Sequence, residues 1–166
     1  MTNPPLQIRQ IIPLFELPAV NRKTRISSWD YKQHYSLAIA FIPNVGDPDC
    51  CALLLSLAKQ YRTYRDLDTE ILAIAHCPTV NEVEQLRTFV TEHNILFPVL
   101  WDTEGRVREA YLGTVQAGIF VGDRYGELYM QAIANHAREL PQETEIREWV
   151  EYVDMQCAEC FPPPWR

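Results

Sequence analysis

The chain contains no apolar run approaching the length that spans a bilayer, and no surplus of positive charge with which to hold an anionic partner. Its 15 Lys and Arg stand against 22 Asp and Glu, a formal net charge of −7, which argues against a nucleic acid or an anionic membrane as partner. The start, Met-Thr-Asn-Pro-Pro, lacks a basic stretch followed by an apolar one. No secretory signal is therefore read, and a cytoplasmic location with reduced thiols is expected. No internal repeat and no second-domain boundary interrupts the 166 residues, and 47% hydrophobic residues suffice for a sizeable core. One α/β domain over residues 1–156 is expected, followed by a Cys- and Pro-containing tail, 157–166.

What the chain does contain is centred on residues 37–61. Leu37 to Ile42 is a continuous apolar run, the pattern of a strand buried on both faces. Pro43, Asn44, Gly46 and Asp47 break it. Leu53, Leu54, Leu57, Ala58 and Tyr61 then share one helical face. Asp47 followed by Pro48 predicts an N-cap with proline at the first helical position, which puts Cys50 at N3 and Cys51 at N4. Free N–H groups and the positive end of the helix dipole favour a thiolate there. Asp47 acts oppositely: as N-cap its carboxylate is expected on the N3 amide, close to the Cys50 sulfur, where negative charge raises a thiol pKa.

Taken in order, residues 1–10 read as a loose leader. Phe15-Glu-Leu-Pro18 and Thr24-Arg-Ile26, around a turn at Asn21-Arg-Lys23, read as a short hairpin, and Ser27 or Ser28 caps a turn through Tyr31. Residues 70–75 form a second buried strand ending at His76-Cys77-Pro78. Asn81 caps a helix to about His93, and residues 97–101 form a third strand. A short helix around Val107, Ala110 and Tyr111 precedes Gly113. Residues 118–122 and 127–131 make a hairpin, and Pro141 leads into a last helix with Ile146, Trp149, Val150 and Val153 on its core stripe. Glu143, Glu145, Arg147 and Glu148 read as its solvated face. Alternating βαβ units closed by a hairpin and a helix predict a mixed sheet flanked by helices.

The order and spacing of four segments carry a resemblance: Phe15-Glu-Leu-Pro18 with Asn21-Arg-Lys23, Phe41-Ile-Pro43 leading to Cys50, Phe97-Pro-Val-Leu-Trp-Asp102, and Ile119-Phe-Val-Gly-Asp-Arg-Tyr-Gly-Glu-Leu128. Over residues 11–153 the chain resembles the thioredoxin-like superfamily, in its redoxin and peroxiredoxin-like branch (alkyl hydroperoxide reductase and thiol-specific antioxidant). The resemblance implies a thioredoxin-like fold and a peroxidatic role for Cys50, since Pro43, Asp47 and Cys50 fall at the spacing of Pro-x-x-x-Thr/Ser-x-x-Cys. Asp47 stands where that pattern has a hydroxyl, and Ala117 where it has an arginine. Against the thioredoxin motif Cys-Pro-x-Cys, Asp47-Pro-Asp-Cys50 keeps only the second thiol, and Ala117 falls where a cis-proline is usual.

Five cysteines, two adjacent and two in a Cys-x-x-Cys, suit redox or metal chemistry better than a disulfide framework. Cys77 is either within disulfide reach of Cys50 or Cys51, through neighbouring strand ends, or a small buried apolar side chain. Cys157 and Cys160 are a resolving pair serving the same or a partner chain, half of a zinc site, or two idle thiols. No second Cys-x-x-Cys or His-x-x-His completes a zinc ligand set. His34, His93 and His136 read as solvated. His76, beside Cys77, is a candidate base.

The expected function is thiol-based redox chemistry, as a peroxiredoxin-like antioxidant peroxidase or a thiol–disulfide oxidoreductase. Catalysis is assigned to Cys50 with Cys51, Asp47 and Pro43 around it, and no cofactor is required. The partners expected are a peroxide or a protein disulfide, a thioredoxin-type reductant and a second copy of the chain. The competing expectation is a redoxin fold that has lost catalysis and serves as a binding or assembly module.

Overall fold

A computed structural model describes residues 4–156. A two-residue ladder of β1 (Glu16–Leu17) and β2 (Ile26–Ser27) leads through a 3₁₀ turn to β3 (Ser36–Ile42). Then come α1 (Pro48–Lys59), α2 (Tyr61–Asp66), β4 (Thr69–Ala75), α3 (Val80–Glu92) and β5 (Val99–Trp101). The chain closes with α4 (Arg106–Leu112), β6 (Ala117–Gly122), β7 (Leu128–Ala134) and α5 (Glu143–Asp154). Strand order in the main sheet is β5-β4-β3-β6-β7. β3, β4 and β5 run parallel, and β6 and β7 antiparallel.

The continuous apolar runs are central strands because both sheet faces are covered. Ala38, Ala40 and Ile42 of β3, with Ile71, Ala73 and Ala75 of β4, pack under α1, α3 and α5, whose Leu54, Leu86 and Val150 are buried. Leu37, Ile39 and Phe41 face the other way, onto Phe15, Leu17, Tyr111 and Leu112. Phe41, Tyr111 and Phe120 meet there with ring centroids 5.0–5.7 Å apart. Each fully buried Leu or Ile on these faces contributes roughly 1.5–3 kcal/mol relative to exposure.

Several local expectations change. Residues 6–12 are not loose: Leu6 is buried, its N–H donates to the Tyr111 carbonyl at 2.9 Å, and the Arg9 N–H donates to the Leu128 carbonyl at 2.8 Å. The helical face expected to run unbroken to Tyr61 is interrupted at Gln60, and α2 starts afresh at Tyr61. α3 is capped by Thr79, whose hydroxyl accepts from the Glu82 N–H at 3.3 Å, and Asn81 lies inside the helix. Trp149 is not core but packs at the rim against Tyr152, 5.6 Å between centroids. Glu143 leaves the solvated face to accept from Tyr64 Oη at 3.2 Å and to pair with Arg147. Among the described residues no helix is long and apolar enough to cross a membrane.

Candidate active site

β3 and β4 end level with one another, Ile42 opposite Ala75, and the chain leaves both at the same edge of the sheet. After Ile42 it turns through Pro43 to Gly46 and enters α1. Asp47 caps that helix with Pro48 next, as its sequence predicts. Its carboxylate accepts from the N2 amide of Asp49, at 2.9 Å, and not from the N3 amide. The first intrahelical bond runs from the Cys51 N–H to the Asp47 carbonyl, 3.2 Å.

Cys50 therefore occupies N3, where a helix start can stabilise a thiolate. It has no exposed surface, whereas the peroxidatic role implied by the resemblance calls for a sulfur that an oxidant can reach. Leu54 and Leu57 follow it into the core, and the side chain at N3 points the same way. Burial consequently dominates its acidity and pushes the thiol from about 9 up to about 11. The Asn44 backbone N–H acts in the opposite direction, and the Asp47 carboxylate adds to the rise. The helix start does not outweigh desolvation, so Cys50 rests as a protonated thiol.

Cys51 points away from Cys50, since adjacent helical residues do not face each other. It is half-buried, and its Sγ–H donates to the Val45 carbonyl at 3.0 Å. Burial, then Asp47, raises its pKa. Cys77 follows β4 by two residues, is 3% exposed and packs in the same apolar cluster as Cys50. Burial, with Glu82 adding to it, lifts that thiol to about 11. All three described cysteines are free. Cys157 and Cys160 lie outside the described residues, so neither the resolving nor the metal reading of the tail is placed. Among the described residues no group of three or more His, Cys, Asp or Glu side chains is arranged to hold a metal ion.

Position 117 begins β6 as a buried alanine, so it presents neither a guanidinium nor a proline ring to the helix start. Of the histidines, His76 stands at this edge: its Nδ1 is 3.0 Å from the Asp102 carbonyl oxygen, which makes Nδ1 the donor and leaves Nε2 as the basic nitrogen. His34 lies at the opposite end of the sheet, beside Ser36 and Asp68. His93 stacks on Phe89 at the end of α3, and His136 precedes the 3₁₀ turn Ala137–Glu139. Asp102, in sequence the end of the 97–102 segment, closes the same edge together with Arg108, which no sequence signal marks.

A mixed sheet with a thiol at the helix start after its central parallel strand defines a thioredoxin-fold protein of the redoxin type. The AhpC/TSA family model matches residues 8–131, and the chain belongs to that family. Solved structures agree in fold. The reduced 2-Cys peroxiredoxin of Plasmodium vivax superposes with a TM-score of 0.78 at 15% identity, over 98% of this chain and 90% of its own. Yeast mitochondrial 1-Cys peroxiredoxin gives 0.75 at 14% identity, over 97% and 83%. A Chlorobium tepidum protein assigned as the thiol:disulfide interchange protein DsbE gives 0.69 at 16% identity, over 91% and 99%. A comparison with curated proteins finds no match.

Proposed function

We propose that this is a thiol-based redox protein, a peroxiredoxin-like peroxidase or thiol–disulfide oxidoreductase, in which Cys50 is the reacting thiol. The observation that carries the reading is its position at N3 of α1, with the Asn44 N–H on its sulfur, in a chain of the AhpC/TSA family. With a pKa near 11 the thiolate fraction at pH 7 is only on the order of 10⁻⁴, so reaction from the closed state is slow. Turnover then begins with opening of the first turn of α1, which brings water and the oxidant to the sulfur. A peroxide oxidises the thiolate to a sulfenic acid, releasing water or an alcohol. A second protein thiol condenses with it to a disulfide and a second water, and a thioredoxin-type reductant restores both thiols.

Geometry favours Cys77 as that second thiol. It shares a cluster with Cys50 across two paired strand ends, whereas Cys51 diverges along the helix. Cys157 and Cys160, outside the described residues, remain candidates to resolve the intermediate of the same or a partner chain.

The test is one equivalent of hydrogen peroxide on the reduced protein, followed by disulfide mapping by mass spectrometry. A Cys50–Cys77 bridge is expected, and Cys50 left unmodified while other thiols oxidise removes the proposed nucleophile. The second reading, a binding module without catalysis, is favoured by the sealed, protonated sulfur and by Asp47 and Ala117 in place of the family's helpers. Unchanged partner binding by a Cys50→Ser variant, with no peroxide consumption by the parent protein, selects it.

A further inference from the structure

Along the sheet edge from Cys50 lies a polar cluster that the thiol chemistry does not use. Asp102, directly after β5, is 3% exposed. Its carboxylate accepts from the Gly105 N–H at 3.1 Å and the Arg108 N–H at 3.0 Å, so its charge is taken up by the start of α4. Gly105 has φ 74°, and the point where a Cβ would stand is 3.2 Å from His76 Cε1 and 3.7 Å from Arg108 Nη2. Imidazole and guanidinium thus close on the Gly105 backbone, leaving no room there for a side chain. Arg108 Nη1 donates at 2.9 Å to Gln116 Oε1, the residue before β6. The ends of β4 and β3 lie between β5 and β6, so the cluster stands at the edge from which the Cys50 and Cys77 loops depart, on the α4 face of the sheet, while both cysteines pack on the α1 face. The His76 N–H, 3.4 Å from the Ile42 carbonyl, ties the cluster to the end of β3.

Six of the eleven described arginines form ion pairs, whereas Arg108, like Arg22, Arg62, Arg124 and Arg138, pairs with no carboxylate of the described residues; it is held by a neutral amide. Its Nε is buried without an acceptor. With Nη1 on Gln116 and Nε buried, Nη2 is the guanidinium nitrogen left to meet a carboxylate.

We propose that Arg108, oriented by Gln116, is a recognition site for the carboxylate of a low-molecular-weight disulfide, which it aligns with the protein thiols at the same edge. The alignment, though not the binding, rests on the redox reading above. In the exchange a protein thiolate attacks one sulfur of the disulfide and a mixed disulfide forms. The other half leaves as a thiolate and takes up a proton. The second protein thiol, as thiolate, then displaces the remaining half, so that two protein thiols are oxidised and one disulfide is reduced to two thiols. With a net charge of −7 the protein as a whole does not attract such a substrate, and recognition is local and weakened by salt.

The non-exchanging probe is S-methylglutathione, titrated into reduced ¹⁵N-labelled protein. Saturable shifts of the His76, Gly105 and Gln116 amides are expected, at least about tenfold weaker in Arg108→Gln and with the probe's diester. Gln116→Leu, which frees the guanidinium without changing charge, weakens binding as well. No shifts, or equal affinity in Arg108→Gln with the rest of the spectrum unchanged, overturns the site. Oxidation by glutathione disulfide and by neutral bis(2-hydroxyethyl) disulfide tests the alignment: their rate ratio falls about tenfold in Arg108→Gln. Binding of the probe without thiol oxidation by either disulfide sinks the redox reading and leaves the site standing. Oxidation at a ratio untouched by Arg108→Gln sinks the alignment.

Discussion

At Cys50 a helix start and a hydrophobic core compete for one sulfur, and the core wins. Burial lifts the thiol from about 9 to about 11, and the Asn44 N–H recovers only part of that. The sign of the pH dependence follows. A thiol whose folded pKa is raised contributes its full stability below about pH 9, and the contribution is lost as pH rises through about 11, because the unfolded chain ionises first. Urea unfolding of the wild type is therefore expected to lose on the order of 2 kcal/mol more than Cys50→Ala between pH 9 and 11. Tyrosines and Cys77 titrate upward too, but they are common to both proteins and cancel in the difference. Parallel curves for the two would show that Cys50 is not the desolvated group described.

At the scale of elements, legibility followed locality. The Asp47-Pro48 helix start and the buried runs of β3 and β4 were readable because a few consecutive residues determine each of them. The cap of α3 was placed two residues late because Thr79 and Asn81 are both good cap residues, and only the approach from β4 decides between them. Burial of Cys50 was not readable, since periodicity placed it on the helix but not the depth at which the helix sits. Arg108 depends on contacts with His76 and Gln116 that no short window contains. The packing of α4 against β6 allows a sharp check. A Cβ on Gly118 would stand 2.4 Å from Leu112 Cδ2 and 3.0 Å from Phe120 Cε2. Gly118→Ala is expected to cost roughly 1–3 kcal/mol of overpacking, and less than that in a Leu112→Ala background, since the two changes share one contact. An unaffected thermal midpoint in Gly118→Ala would refute the contact.

For the molecule as a whole, residues 6–12 strap the second sheet face. Leu6 and Ile12 are buried there, Gln131 Nε2 donates to the Leu6 carbonyl at 2.8 Å, and Arg9 pairs with Glu127 at 3.2 Å. Deleting residues 1–10 is expected to cost about 2–4 kcal/mol, read as a lower urea midpoint, and an unchanged midpoint would return the segment to the status of a loose leader. The placement of α5 has a longer consequence. Its last turn stands at the Ser36 end of β3, the pole opposite the start of α1, where Val153 and Asp154 border a recess with His34, Asp68 and Asp123. The two poles of the sheet are thus closed by different chemistry, thiols at one and a recess lined by carboxylates at the other.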